Sequence, residues 1–321
     1  MPKAEKKAKV SAKSANSGTG LRLRKLNRRQ KKLKAKKEAH VRTPIPNSFK
    51  LTGQVFGIFK KFWKPLGGIV LVYLILNIVF ASGIGSLSNT VSSIKADLNS
   101  TSNHAHPIVS GSSSFLTLVG SAGASSTTTG SALQTVLIVI ESLVIIWALR
   151  QLLAGNKIGI KQSYYSSMTP LIPFLIVGFF IILQLLPAAI GAAVFSTVVS
   201  SVGSVSGVVT FAFGALFALL AVWSIYMISA SIFAVYIVTL PGTYPRSALK
   251  SAKNLVHYRR WMVLRRVLFL PIILLLIMAV IVVPLILYAT FLVVPVFYVL
   301  SMLAILFIHA YLYSLYRGLL T

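Results

Sequence analysis

Long uninterrupted apolar runs constrain this chain more than any other feature. Several of them exceed the roughly 20 residues that a helix needs to cross the hydrocarbon core of a bilayer. Hydrophobic residues make up 56% of the 321 residues and charged residues only 11%, against about 25% charged residues in soluble domains. Most of the chain therefore cannot face water, and we predict an all-α, polytopic integral membrane protein.

The apolar runs predict six spans in one membrane domain, residues 47–321. Residues 1–46 are predicted to form a basic, disordered cytoplasmic tail, whose part up to Gly20 has a Lys, Ala and Ser composition that cannot bury a core. A polar loop rich in Ser, Thr and Gly, about 88–130, joins the first two spans. Span four is longer than a bilayer requires, which predicts a tilted or protruding helix. The six predicted spans are about 66–87, 131–153, 170–198, 207–240, 267–288 and 292–316.

The distribution of charge predicts how the chain threads the membrane. The net charge is +28, and 31 of the 32 Lys and Arg residues fall on the side of the termini, with Lys95 alone on the other side. Because cationic loops stay in the cytoplasm, both termini are predicted to be cytoplasmic, in the plasma (inner) membrane of a bacterial-type cell. The absence of cysteine excludes disulfides and thiol-based metal sites.

Residues 241–266 are the longest basic stretch between two apolar runs. Pro245 suits the first turn of a helix, and apolar residues recur at helical spacing from Ala248 to Met262 with cations largely between them. This pattern predicts an amphipathic helix in the membrane interface before span five. Related stretches precede spans one and three. The predicted interfacial lipid contacts are Lys60, Lys61, Trp63, Arg259, Arg260, Trp261, Arg265 and Arg266.

The interfacial stretches also indicate an internal repeat. A shift of 199 residues aligns residues 46–48 (PNS) with 245–247 (PRS), and 59–62 (FKKF) with 258–261 (YRRW). The chain then divides into three parallel units, each an interfacial helix followed by a transmembrane hairpin. Convergence is the alternative interpretation, since spans that enter from the cytoplasm tend to acquire basic and aromatic residues.

One pattern in this region resembles a known bacterial family. It consists of Pro245, Ser247, Ala248, Leu249, Ser251, Leu255, Val256, Arg259 and Trp261. It is similar to the six-span membrane domain attached to some glycerophosphoryl diester phosphodiesterases, and to the stand-alone relatives of that domain. The resemblance covers about residues 46–317 and implies a six-helix integral domain, without assigning it an activity. The phosphodiesterase barrel and its acidic metal site have no counterpart, because the only acids are Glu5, Glu38, Asp97 and Glu141.

Polar residues near the middle of the spans are candidates for a site. Glu141 lies near the middle of span two, where a carboxylate costs at least about 2.5 kcal/mol, so we expect it to be protonated or paired. Asn77 in span one and Gln184 in span three lie at similar depths, and His309 lies about 9 Å from the centre of span six toward the cytoplasm. One hypothesis is a mid-membrane polar site on a substrate or proton path. The other is a neutral Glu141 that is hydrogen-bonded to Asn77 and holds the hairpin together.

No catalytic pattern is present in the sequence. The chain lacks H-E-x-x-H, G-x-S-x-G, paired acids and a P-loop. His104 and His106 have no carboxylate near them beyond Asp97, which makes a poor metal site. We therefore expect a non-enzymatic protein without a cofactor.

The basic tail predicts the partners. Each Lys or Arg near an anionic lipid surface contributes about 1 kcal/mol, so the bilayer and its anionic lipids are expected first. Contact of residues 21–40 with nucleic acid or the ribosome is a second interpretation, which the absence of aromatic side chains in the tail disfavours. A purely solvated tail is the third.

Three function hypotheses follow. The first is a membrane protein that organises lipid or protein partners, with a protein partner or a homo-oligomer as further options. The second is a small transporter or channel that uses Asn77, Glu141 and Gln184. The third is a lipid-modifying membrane enzyme, against which the scarcity of acids argues.

Overall fold

The computed structural model describes residues 46–81, 128–200 and 207–320, together with Gln30. The basic tail and nearly all of the polar loop 88–130 lie outside these residues, so the predictions for them stay predictions. Every regular element within the described ranges is helical, which confirms the all-α class. Six of these helices are long and apolar enough to cross a membrane. The chain is therefore a multi-pass membrane protein.

Short helices alternate with long hairpins along the chain. Helix α1 (Ser48–Lys61) precedes the hairpin of α2 (Trp63–Ala81) and α3 (Thr128–Leu153). Helix α4 (Ile160–Ser167) precedes α5 (Leu171–Ser200) and α6 (Gly207–Ser231), which the short α7 (Ala234–Val238) follows. Helix α8 (Pro245–Val256) precedes α9 (Arg260–Tyr288) and α10 (Thr290–Leu320). A short helix followed by a long hairpin thus occurs three times, which is the order that the predicted repeat requires.

The amphipathic pattern of residues 241–266 produces helix α8. Pro245 occupies the first turn, where its missing N–H leaves no hydrogen bond unmade. Ala248, Ala252 and Val256 are spaced four residues apart and are fully buried, whereas Lys250 and Lys253 are exposed. The helix therefore packs its apolar stripe against the long helices and directs its cations outward.

Helices α1, α4 and α8 lie at the same end of the bundle, because each precedes a long helix and these three long helices run in the same direction. We call this end the basic end, since it holds all the cations of the described ranges. They are Lys50, Lys60, Lys61, Lys64, Arg150, Lys157, Lys161, Arg246, Lys250, Lys253, Arg259, Arg260, Arg265, Arg266 and Arg317.

Span four is broken instead of forming one long tilted helix. Helix α6 ends at Ser231 and α7 begins at Ala234. Arg150, from the end of α3, donates to the carbonyl oxygens of Thr239 at 2.8 Å and Tyr236 at 3.2 Å, and also to the Thr239 hydroxyl. A cation at the carboxyl end of a helix binds the last carbonyl groups, which have no partner within the helix. Arg150 thus stabilises the end of α7.

Span five begins earlier than predicted. Helix α9 includes Arg260, Arg265 and Arg266 before the apolar run that starts at Val267. Long cationic side chains can lie along apolar surface while the charged group reaches a polar environment. Charged residues therefore extend the helix beyond the apolar run that marks it in the sequence.

The helices are buried to very different extents. In α3, 44% of the spanning window is buried, against 11% in α5 and 6% in α6. The α5–α6 hairpin therefore lies at the periphery, where Gly191 approaches Leu220 and Phe217, and Phe195 stacks on Phe217 with ring centroids 5.9 Å apart. The core that positions buried polar groups is formed by α2, α3 and α10.

Candidate functional site

A buried amide forms the first half of the polar cluster. Asn77 on α2 is completely buried. Its Oδ1 accepts a hydrogen bond of 2.5 Å from the Tyr298 hydroxyl on α10, and its Nδ2 donates to the Tyr73 hydroxyl at 3.4 Å. The amide is thus satisfied on both sides, and it joins helices that are 221 residues apart in sequence.

The Glu141 carboxyl on α3 forms the second half. It is 1% exposed, and its Oε2 accepts a hydrogen bond of 3.0 Å from the Tyr164 hydroxyl. The same hydroxyl lies 3.3 Å from the carbonyl oxygen of Ile69 on α2. Glu141 lies about 14 Å along α3 from Arg150, at 1.5 Å per residue. Tyr164 therefore extends from a short helix well into the bundle.

Small residues allow α4 to approach the bundle closely enough for this contact. Ser163 and Ser167 are buried on its inner face. Ile160 lies over Gly68 on α2, where an added Cβ would meet its Cδ1, the end of a flexible side chain, at 2.4 Å. The glycine at position 68 thus leaves room for the Ile160 side chain, and α4 places Tyr164 beside Glu141.

The electrostatic environment favours an un-ionised Tyr164. Burial raises the pKa of Tyr164 above its usual value, and the neighbouring Glu141 and Tyr73 raise this pKa further. The hydroxyl therefore keeps its proton and donates to the carboxyl group. Tyr164 also contacts Ile69, which lies one turn before Tyr73 on α2, so the two halves of the cluster are adjacent.

The structure corrects the predicted pairing of Glu141 with Asn77. Within the described residues no hydrogen bond joins these two side chains, because each has tyrosine partners instead. The second carboxyl oxygen, Oε1 of Glu141, is buried and has no hydrogen-bond partner in the part of the chain that the structure describes. The carboxyl group is consequently only half satisfied.

A cavity of about 380 Å³ adjoins the polar cluster. Tyr73 lines it together with the polar side chains of Gln134, Thr135 and Ser301, and apolar residues of α3, α9 and α10 form the remaining walls. The cavity therefore presents both polar and apolar groups to an occupant next to the cluster.

The other two candidates, Gln184 and His309, lie apart from Glu141. Gln184 belongs to the peripheral helix α5, and its Oε1 has no hydrogen-bond partner within the described ranges. His309 on α10 lies with its Nδ1 3.2 Å from the Tyr236 hydroxyl, in an aromatic cluster of the basic end. The four predicted residues therefore do not form one site, and only Asn77 and Glu141 belong to the same cluster.

The predicted lipid contacts are mostly at the surface. Trp63 is 66% exposed and Trp261 80% exposed, and Lys60, Lys61 and Arg265 are also exposed. Arg259 is half-buried. Arg260 donates to the Tyr226 hydroxyl at 2.7 Å and lies over its ring at 5.3 Å. Arg266 is the exception, since its side chain is 5% exposed and does not project from the surface.

Sequence reasoning missed the tyrosines of the cluster. It also missed the hydrogen bonds from Arg150 to Thr239 and Tyr236, which we call the Arg150 clamp. A signal for Tyr164 was present, because Gly159, Ser163 and Ser167 recur at intervals of four residues. Small residues at this spacing allow close helix packing within membranes. Tyr73 and Tyr298 had no comparable signal, since tyrosine is common in membrane helices near the interface.

No group of three or more His, Asp or Glu side chains in the described ranges could hold a metal ion. Comparison of the chain with protein-family models, curated proteins and solved structures finds no match. The function is therefore inferred from the geometry of the chain itself.

Proposed function

We propose that this protein is a non-enzymatic component of the plasma membrane that binds and organises anionic phospholipids at its basic end, with both termini in the cytoplasm. The main support for the proposal is the excess of cations over carboxylates among the described residues. Fifteen Lys and Arg residues lie at the basic end, and Glu141 is the only carboxylate in the same ranges. Glu141 is buried at mid-span with Tyr164, so it cannot compensate the cations.

At the membrane interface, where the basic end lies, anionic lipid headgroups supply the negative charges that can pair with these cations. Each cation near such a surface contributes about 1 kcal/mol to binding. Exposed Trp63, Trp261 and Tyr258 lie among the cations, as expected for aromatic side chains at the headgroup level. Cations and aromatic rings together therefore suit the basic end to an anionic lipid surface, and the positive-inside rule supports a cytoplasmic orientation.

Quenching of Trp261 fluorescence measures the lipid composition around the basic end. A variant with the other three tryptophans changed to Phe retains Trp261 as its only tryptophan. This variant is reconstituted in mixed phosphatidylcholine and phosphatidylglycerol vesicles in which one lipid at a time carries bromine near the headgroup. We expect brominated phosphatidylglycerol to quench Trp261 fluorescence beyond its mole fraction in the vesicle.

Neutralising neighbouring cations tests the cause of this enrichment. The double substitution Arg259→Gln and Arg265→Gln should abolish the excess quenching at Trp261. The matched pair Lys157→Gln and Lys161→Gln removes the same charge from the α3–α4 region and should leave the excess unchanged. Quenching in simple proportion to mole fraction in the parent variant would refute the proposal.

A small transporter is the second candidate, because Glu141 Oε1 is buried without a partner among the described residues and the cavity beside Tyr73 adjoins the same cluster. Such a carboxyl group can bind a proton or a polar solute within the membrane. In proteoliposomes with an internal pH-sensitive dye, Glu141→Gln should then abolish a proton flux that Gln184→Leu retains. Equal flux in empty and protein-containing liposomes would contradict this function.

A further inference from the structure

A second cavity, which we call the basic-end cavity, lies where three spans meet at the basic end. Its volume is about 500 Å³, within the range of about 300–1,000 Å³ that small-molecule sites occupy. The end of α3, the turn between α4 and α5, and the segment after α7 form its walls. Its polar lining consists of Arg150, Gln151, Ser166, Ser167, Thr169, Thr239 and Thr243.

The chain itself uses only some of these polar groups. The hydroxyls of Ser167, Thr239 and Thr243 donate to backbone carbonyl oxygens. Arg150 uses three of its five N–H groups on Thr239 and Tyr236. These three hydrogen bonds hold the guanidinium in place, and the other two N–H groups have no partner among the described residues, so they are left for a ligand.

Two further donors line the basic-end cavity. The Gln151 Oε1 accepts from Asn156 at 2.6 Å, which leaves the Gln151 amide N–H groups available. The Ser166 hydroxyl has no hydrogen-bond partner among the described residues. No carboxylate lines the cavity, so the Arg150 charge is not neutralised there. The unused groups are thus mainly hydrogen-bond donors beside a positive charge, which is the chemistry that recognises phosphate.

The apolar lining of the basic-end cavity indicates which kind of molecule carries the phosphate. Leu143, Trp147, Pro173 and Val238 also line the cavity. Leu143 lies about 10 Å from Arg150 along α3, at 1.5 Å per residue, and thus deeper in the membrane. A phospholipid has the same sequence of groups, with a charged phosphate at the interface and apolar chains below it. A free phosphate ion would leave the apolar wall uncovered.

We propose that the basic-end cavity binds the phosphate group of one anionic glycerophospholipid, with Arg150, Gln151 and Ser166 as donors and the apolar wall against its acyl chains. This inference rests on the proposed function, because it identifies one specific site within the lipid-binding end. The lipid in the cavity differs from the surrounding lipids in that a part-buried, oriented guanidinium holds it, so salt displaces it less readily.

Native mass spectrometry of the detergent-solubilised full chain tests this site. Phosphatidylglycerol is titrated in at high ammonium acetate concentration, which screens exposed charges. We expect one retained lipid per chain. Both Arg150→Gln and Ser166→Phe should weaken its binding at least about tenfold, since a hydrogen bond to a charged group is worth about 1.5–3 kcal/mol. Lys250→Gln, which removes one charge outside the cavity, should have no effect.

The two cavity variants separate lipid binding from folding. Ser166→Phe fills the space and leaves the Arg150 clamp on Thr239 and Tyr236 intact, so it remains informative if Arg150→Gln does not fold. Retention of the lipid by Ser166→Phe would overturn the proposal, whatever Arg150→Gln does. Binding of inorganic phosphate as tightly as phosphatidylglycerol would assign the cavity to the free ion and overturn the lipid assignment.

Failure of this site and failure of the proposed function give different results. A retained single lipid without excess quenching at Trp261 would refute enrichment at the surface and leave the cavity site standing. Excess quenching at Trp261 without a retained lipid would refute the cavity site alone.

Discussion

The contact between Asn77 and Tyr298 gives the most direct prediction about what holds the bundle together. Tyr298→Phe removes one hydroxyl and leaves Asn77 Oδ1 without its 2.5 Å donor. Asn77 is completely buried, so water cannot replace the lost partner. Asn77→Leu instead removes the amide and substitutes an apolar group of similar size.

The expected magnitude follows from this geometry. A buried acceptor left unsatisfied costs about 1–3 kcal/mol in soluble proteins. Within membranes, double-mutant cycles average about 0.6 kcal/mol with a maximum of about 1.7 kcal/mol, because the unfolded chain in lipid also finds partners. The contact between Asn77 and Tyr298 is short and fully buried, so we expect a coupling energy in the upper half of that range, about 1–1.7 kcal/mol.

Reversible unfolding of the detergent-solubilised protein by increasing dodecyl sulfate measures the four free energies of unfolding in the cycle. Tyr298→Phe should destabilise the wild-type chain but have little effect in the Asn77→Leu background. The matched control is Tyr313→Phe, because Tyr313 is also buried on α10 and its hydroxyl has no hydrogen bond among the described residues. Additive effects of Asn77→Leu and Tyr298→Phe, within about 0.3 kcal/mol, would refute the role assigned to this hydrogen bond.

Two further predictions concern α4 and its contact with Glu141. Gly68→Leu should lower the free energy of unfolding by about 1 kcal/mol, the low end of the cost of overpacking, because a Cβ there meets only the flexible end of Ile160, at 2.4 Å. Gly67→Leu points into open space and should change this free energy little. Equal effects in the same unfolding assay would contradict the contact of α4 with Gly68. Tyr164 should stay un-ionised at about pH 10.5, where an ordinary tyrosine with a pKa of about 10 is mostly ionised, since its pKa is raised. The tyrosinate absorbance of wild type minus Tyr164→Phe should then be zero at that pH, and a difference equivalent to one ionised tyrosine would show that Tyr164 is not shielded.

The helical class and the order of elements follow from the sequence because they depend on local patterns. Apolar runs of sufficient length predict spans, and the stripe of Ala248, Ala252 and Val256 predicts an amphipathic helix without any knowledge of its neighbours. The contact that holds the end of span four has no such local signal. Arg150 binds the end of α7 and lies 89 residues before Thr239 in sequence, so hydropathy alone cannot locate this contact.

The candidate site was predicted only in part for the same reason. Burial of Glu141 and Asn77 follows from their position in the middle of apolar runs. Their hydrogen-bond partners depend on which faces of α2, α3, α4 and α10 meet, and the sequence of one helix does not determine this. Tyr164 in particular comes from a short polar segment whose composition predicts an interfacial position, and the buried Ser163 and Ser167 face of α4 brings it inward.

The proposed function is tested most directly by measuring which lipids surround the protein in its own membrane. Polymer nanodiscs extract the full chain together with its nearest lipids, and the phospholipids in the discs can be compared with those of the whole membrane by mass spectrometry. Anionic phospholipids should be enriched in the discs, and the enrichment should fall when Arg259 and Arg265 are changed to Gln. Discs with the same phospholipid composition as the whole membrane would contradict the proposal that the basic end of this protein gathers anionic lipid.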